Sequence, residues 1–371
     1  MPEPKSRVLW LDVLKGLSIL WIAYFHLFQT ATDGTAVEPL AADFPGRLVA
    51  HCAAVGIGCY ARGLVGGVTL LGFHAVSVFL VLGGFGLARA LGDVETPVGG
   101  WGVWYRRRLL RLYPLYWTAH FVLAVSPFVL LPEPIDYRFW LSLTGLRLWP
   151  IDMIHAYFNP AWWYFTCLVQ LYAIFPLLWW VRCRVGPAGI ALVGLVLAVG
   201  SRWIMLSVWP VHGSWSQGAF ALSRVAEFAF GMALGAWHRQ NAARFEAILF
   251  RPAVVALGLV VYGLGIVSYR ALWSYCFTDA LIGYGLFVVT ANVAAMLSRW
   301  SLSGAVLARV GAFSYGLYLF HQPYVLYAGE RWRALPTIPY FLAATLLIVV
   351  LFVAARAIEQ AVGRLTDRVL A

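Results

Sequence analysis

The chain has 371 residues, of which 62% are hydrophobic and only 12% charged, with a mean hydropathy of +0.78. A soluble domain holds roughly 45–50% apolar and about 25% charged residues, so composition excludes a soluble globule with one large core. The net charge of +11 lies in short clusters between apolar stretches, which is the pattern of membrane-flanking loops and argues against a nucleic-acid partner.

Stretches long enough to cross a bilayer, ~20 apolar residues each, fall at 11–30, 68–91, 112–131, 160–181, 187–206, 218–238, 252–269, 275–297, 310–328 and 338–358. They predict an all-α polytopic membrane protein of about ten transmembrane helices, read as a single transmembrane domain over 1–371. The first stretch contains Asp12, Lys15 and His26, so it reads as a retained span and not as a cleaved leader. The long connection 31–67 carries Asp33, Glu38 and Asp43 and is expected to cap the outer face. Cys52 and Cys59 lie in it; the residues leave open whether they pair. Residues 139–159 are apolar, but an extra span there would invert every later loop. They are expected to form a re-entrant or interfacial segment on the outer side.

Charge sets the orientation. With the N-terminus inside, the inner connections and both termini carry 17 of the 27 Lys and Arg, and the outer connections carry eight, among them Arg147 and Arg202. The asymmetry predicts that both termini are cytoplasmic.

An ionisable group inside a span costs at least ~2.5–3.5 kcal/mol on insertion scales, so each is a functional candidate. Lys15 and His26 are 11 residues apart, about three helical turns, and share one face. Asp12 lies one turn before Lys15 and can pair with it. Arg224 and Glu227 are one turn apart in the sixth span and are expected to pair. His321 lies in the ninth span with Ser314, Tyr315 and Tyr318. His74 and His120 are expected to pack or hydrogen-bond. Trp162, Trp163 and Tyr164, with Trp149 and Tyr157, either form an interfacial belt or stack on sugar rings at the outer mouth.

The run LDVLKGLSILWIAYFH (11–26) resembles the first helix of the acyltransferase family 3 membrane O-acyltransferases, which open with Leu-Asp-x-x-Arg-Gly and an Arg-x10-His spacing. Lys15 stands where the family has Arg, and His26 falls on its histidine. GFHAVSVFLVLGGFGLARAL (72–91) is similar to its second helix, with Gly83 for Ser. RRRLLRLYPLYW (106–117) is similar to its Arg-x-x-Arg followed by Tyr-Pro-x-Tyr. NPAWWYFTCLVQLYAIFPLL (159–178) is similar to its Trp-rich helix, with Gln170 where many members have Glu. SRVAEFAFGMALG (223–235) and GAFSYGLYLFHQPY (311–324) resemble its later motifs.

The resemblance implies transfer of an acyl group, commonly acetyl or succinyl, from cytoplasmic acyl-CoA to a hydroxyl of an extracytoplasmic or membrane-held carbohydrate-type acceptor. It implies a bacterial inner membrane, with acyl-CoA as donor substrate and no permanently bound cofactor or metal. A hydroxyl is a poor nucleophile until its proton is removed, and histidine suits that task. His26 is the expected catalytic residue, with Lys15 and Asp12 on its helix, and it acts as a base or as an acyl carrier. Arg106, Arg107, Arg108 and Arg111 are expected to hold the CoA phosphates. Arg224, Glu227, Ser314, Tyr315 and His321, with Trp162, Trp163 and Tyr164, are expected to line the acceptor site. Two other classes remain: a secondary transporter or flippase, which would use similar buried charges, and a non-catalytic membrane partner.

Overall fold

The computed structural model describes residues 8–31, 68–126, 135–149, 154, 157–209, 215–332 and 334–370, and every regular element among them is helical. Helix α1 (Leu9–Ala31) carries Asp12 in its first turn, where a carboxylate complements the helix dipole. A tight turn at Leu71–His74 leads into α2 (Ala75–Leu91). Helix α3 (Gly100–Val125) follows Gly99 at φ 82°, a left-handed conformation open to glycine. The short α4 (Tyr137–Leu143) is capped by Asp136, which accepts from the Arg138 amide at 2.8 Å.

Helix α5 (Trp163–Trp203) is 41 residues long and breaks at Gly186 (φ 75°, ψ 179°), just before Pro187. A straight helix of that length would measure about 60 Å, twice the ~30 Å hydrocarbon core. The break falls where the residue before a proline is pushed out of the helical region. It separates the stretches expected as the fourth and fifth spans.

Then come α6 (Val225–Gln240), α7 (Ala242–Leu249), α8 (Pro252–Val267) and α9 (Thr278–Leu297). Helices α10 (Ser301–Ala312) and α11 (Ser314–Trp332) meet at a 79° bend, and α12 (Thr337–Leu370) closes the described chain.

Helix occupies all or most of each expected stretch except 218–238, whose first residues form short turns. Among the described residues, fewer than ten stretches are long and apolar enough to cross a membrane: six, or seven if the bent α10–α11 pair is one span. The shortfall has physical causes. The stretch Pro160–Val208 counts once despite its break, α6 has only 16 residues, and α3 carries four arginines in its first half. The outward faces of α8 and α12 leave Leu257 and Leu342 61% and 67% exposed. Such apolar surfaces belong against lipid, and the protein is an integral membrane protein.

Helices α2 and α6 pack closest where small residues let backbones touch. A Cβ on Gly84 would lie 1.9 Å from the Phe228 carbonyl oxygen, and one on Gly231 2.0 Å from that of Val81.

The stretch after α4 turns back into the bundle. The hydroxyls of Tyr113 and Tyr116 and the indole of Trp117, all at the middle of α3, donate to the carbonyls of Thr144, Ser142 and Leu143 at 2.6, 2.9 and 2.9 Å. A re-entrant or interfacial course was expected for 139–159; its described first part packs against α3, and residues 150–153 and 155–156 lie outside the described residues. Of the connection 31–67, residues 32–67, with Asp33, Glu38, Asp43, Cys52 and Cys59, lie outside the described residues.

Two expectations are corrected. Arg147 and Arg202, assigned to outer connections, are 0% and 1% exposed. Arg147 donates to the carbonyl oxygens of Asn159, at 2.9 Å, and Tyr157, gathering the end of the re-entrant stretch around one guanidinium. Arg202 is ion-paired with Asp279. A buried charge needs such partners, and neither arginine is a loop charge.

Candidate active site

Hydrogen bonding separates four histidines of the bundle interior: His26, His74, His120 and His321. His74 is held by two tyrosines, its Nδ1 2.9 Å from the Tyr262 hydroxyl and its Nε2 3.3 Å from that of Tyr269. His120 is likewise occupied, with Nδ1 3.0 Å from the Tyr116 carbonyl and Nε2 2.8 Å from the Ser142 hydroxyl. In each ring both nitrogens are held by groups of the bundle itself.

His321 differs. Its Nδ1 lies 3.0 Å from the carbonyl oxygens of both Leu317 and Tyr318. Two acceptors require Nδ1 to carry the hydrogen, which leaves a lone pair on Nε2. That nitrogen is buried and has no hydrogen-bond partner. The His321 ring faces the His26 ring with centroids 5.4 Å apart. His26 Nδ1 is 3.2 Å from the Gln322 side-chain nitrogen, and the Gln29 side chain also bonds the ring. His321 is 0% exposed, whereas His26 is half-buried. Of the two imidazoles, His26 is the one a reacting group can approach.

Proline builds the wall beside this pair. Pro323 has no amide hydrogen, so the Leu319 carbonyl, one turn earlier on α11, has no helical donor. Asn159 and Trp162 donate to it instead, at 2.9 and 3.2 Å. The Tyr318 hydroxyl donates to the Ala161 carbonyl at 2.9 Å and accepts from the Phe165 amide at 3.0 Å. The start of α5 is thereby fastened to α11 next to His321. Trp162 is 0% exposed and stacks on His120 with centroids 3.9 Å apart, so its ring is covered by its neighbours.

Asp12 and Lys15 form an ion pair at 3.2 Å. Along α1 they lie about 21 and 16 Å from His26 at 1.5 Å per residue, and the three do not form one cluster. Arg106, Arg107 and Arg111 are exposed, and Arg108 is half-buried with its guanidinium 5.6 Å from the Trp104 ring. The Tyr315 hydroxyl donates to the Leu112 carbonyl at 2.8 Å, which ties this part of α3 to α11. Tyr315 is six residues before His321, about 9 Å along α11, and Leu112 directly follows the arginine cluster in sequence. Ser314, at the start of α11, is buried at the same level.

A second polar cluster lies across Tyr164, whose ring is 5.5 Å from Tyr318 and 6.5 Å from Phe79. Arg224 binds Glu227 at 2.8 Å, donates to the Ser77 hydroxyl at 2.7 Å and stands 3.5 Å from Asp279. Arg202 joins through Asp279. Two arginines and two carboxylates thus share one buried site with no formal net charge. The Arg224 guanidinium lies 5.9 Å from the half-buried Trp163 ring.

Sequence reasoning paired Arg224 with Glu227 but missed Asp279, although an acidic residue in an apolar stretch is a visible signal. It also missed Gln322 and Gln29. The departures from the family pattern lie away from His26. Gln170 donates to the Ala219 carbonyl at 2.7 Å and accepts from the Ala221 amide at 3.2 Å, a pairing that a carboxylate could not complete. Lys15 keeps its pair with Asp12, and a Cβ on Gly83 would meet only ordinary contact with Phe228.

A family model described as an acyltransferase domain matches residues 8–357 of this chain. The chain is 26% identical to the acyltransferase MdmB of Streptomyces mycarofaciens over 282 residues, 71% of this chain and 70% of that protein. No solved structure matches.

Proposed function

The chain belongs to the acyltransferase-domain family, and from that premise we propose that it moves an acyl group, acetyl or succinyl, from cytoplasmic acyl-CoA to a hydroxyl of an extracytoplasmic or membrane-held carbohydrate. The observation that carries this reading is the facing pair His26–His321, in which one ring is reachable and the other holds a bare lone pair.

In the proposed reaction His26 takes the proton of the acceptor hydroxyl as its oxygen attacks the thioester carbonyl. The C–S bond then breaks, and the CoA thiolate leaves and recovers a proton from the histidine. In a two-step variant a His26 nitrogen attacks the thioester carbonyl and the CoA thiolate leaves; the acceptor hydroxyl then attacks the acyl-imidazole, and its proton passes to the released imidazole. Arg108 and Arg111, with Arg106 and Arg107, hold the CoA phosphates, for which a planar guanidinium is suited. The pantetheine arm then runs along α11 past Ser314 and Tyr315 toward the histidines. Trp163 and Tyr164 face the acceptor, with Arg224 and Glu227 behind them.

Both termini are assigned to the cytoplasm of a bacterial inner membrane. Removing the buried Arg147 and Arg202 from the outer tally, and Arg182 (7% exposed) from the inner one, enlarges the charge asymmetry. Reporter fusions after Arg111 and Arg239 should read cytoplasmic, and a fusion near Glu38 should not. The chemistry is tested with protein in liposomes and labelled acyl-CoA, with and without a glycan panel. Label retained on wild-type protein but absent from His26→Ala supports the two-step route. Turnover with no retained label supports direct transfer. No consumption of acyl-CoA with any acceptor would refute the reading.

A further inference from the structure

The end of the bundle at which α1 begins holds a cavity of about 500 Å³, a volume typical of ligand sites. It opens to the surface and is bordered by the first residues of α1, the last turns of α2, α6 and α9, and by α7. Arg89, His238, Glu246 and Arg299 line it together with Trp10 and Phe250. Arginines at helix ends often serve only to complement the helix dipole, but that role leaves no reason for a pocket of this size between them.

The second observation is His238. It is 3% exposed, it lines the cavity, and neither of its ring nitrogens has a hydrogen-bond partner. The nearest carboxylate oxygen, Glu246 Oε1, is 3.6 Å away, too far for a hydrogen bond. That oxygen already accepts from the Trp10 indole at 2.9 Å. Buried imidazole nitrogens without partners are rare in folded proteins, and a group entering the cavity would supply what is missing. With two guanidinium groups against one carboxylate, the lining favours an anion. The fork of an arginine fits phosphate in particular.

We propose that this cavity binds a phosphate-bearing ligand between Arg89 and Arg299, with His238 as a further hydrogen-bond partner, at a site separate from the Arg106–Arg111 cluster. Two sources share this chemistry: a soluble phosphate compound and the headgroup of an anionic lipid at the membrane surface.

The test uses the purified full chain in phosphatidylcholine nanodiscs and reads the midpoint of thermal unfolding. One arm titrates inorganic pyrophosphate; the other replaces part of the phosphatidylcholine with phosphatidylglycerol. The midpoint should rise in at least one arm, because a ligand that binds only the folded state stabilises it. A rise with pyrophosphate alone identifies a soluble ligand, and a rise with phosphatidylglycerol alone a lipid headgroup. Arg299→Gln, at an exposed position, should weaken the response about tenfold, as expected for one charged hydrogen bond. Arg89→Gln should do the same, while Arg364→Gln on the exposed end of α12 leaves it unchanged. The response should survive in the Arg108→Ala/Arg111→Ala variant, which separates this site from the proposed donor site. No rise in either arm overturns the proposal. So does an equal rise in Arg299→Gln and Arg89→Gln, or a response lost only in the Arg108→Ala/Arg111→Ala variant.

Discussion

The two polar clusters of this bundle are held together by different means. Around Asp279 charge is compensated: two arginines meet two carboxylates, and Ser77 accepts from a further guanidinium N–H, while Glu227 Oε2 and two Arg202 nitrogens have no hydrogen-bond partner. Around His26 the groups are amides and imidazoles, and Nε2 of His321 and the side-chain oxygen of Gln322 are without one. Paired buried charges hold helices in register, and removing one partner strands the other. An imidazole nitrogen without a partner offers a lone pair and needs no counter-charge. On the proposed reading the histidines carry the chemistry and the ion pairs the architecture, and substitutions in each should show different signatures.

The largest effect is expected at His26. Loss of a general base typically costs about 10²–10⁴-fold, so His26→Ala should nearly abolish turnover of labelled acyl-CoA while CoA binding and thermal stability persist. A variant that keeps more than about a tenth of wild-type turnover would shift the role to His321. Asp279→Asn should do the reverse and act first on folding. It leaves Arg202 and Arg224 short of negative charge, and breaking a buried ion pair costs about 3–5 kcal/mol. A large fall in the unfolding midpoint in detergent is the expected reading; an unchanged midpoint would mean that the cluster is solvated.

Smaller effects follow outside the two clusters. Arg108→Ala with Arg111→Ala should weaken CoA binding by ~1.5–3 kcal/mol for each arginine–phosphate pair removed, with little change in the unfolding midpoint. Unaltered CoA affinity would reduce the cluster to a topology signal. Asn159→Ala removes one of two donors to the Leu319 carbonyl and should cost about 1 kcal/mol of stability, since Trp162 still serves that oxygen.

Much of this was legible in the sequence, for reasons that can be named. The long apolar stretches locate the helices because a bilayer demands them. His26 and the Arg224–Glu227 pair stand out because polarity inside a span is costly. The facing of His26 and His321 was not legible: 295 residues separate them, and no spacing rule reaches across a fold. Arg147 and Arg202 misled because a charge near the end of an apolar stretch reads as a loop residue until its partner is known. For Arg202 that partner, Asp279, stands 77 positions away.

The proline that follows His321 by two residues couples two events that are usually distinct. A membrane helix can insert alone only if its backbone is self-sufficient, since an unanswered carbonyl in hydrocarbon costs several kcal/mol. Helix α11 carries such a carbonyl at Leu319, and Asn159 and Trp162, which donate to it, lie more than 150 residues upstream. The helix is therefore not self-sufficient in lipid until it docks on that stretch. When it does, the contact forms at the turn of α11 that bears His321. Settling α11 in the membrane and building the wall beside the facing histidines are one event.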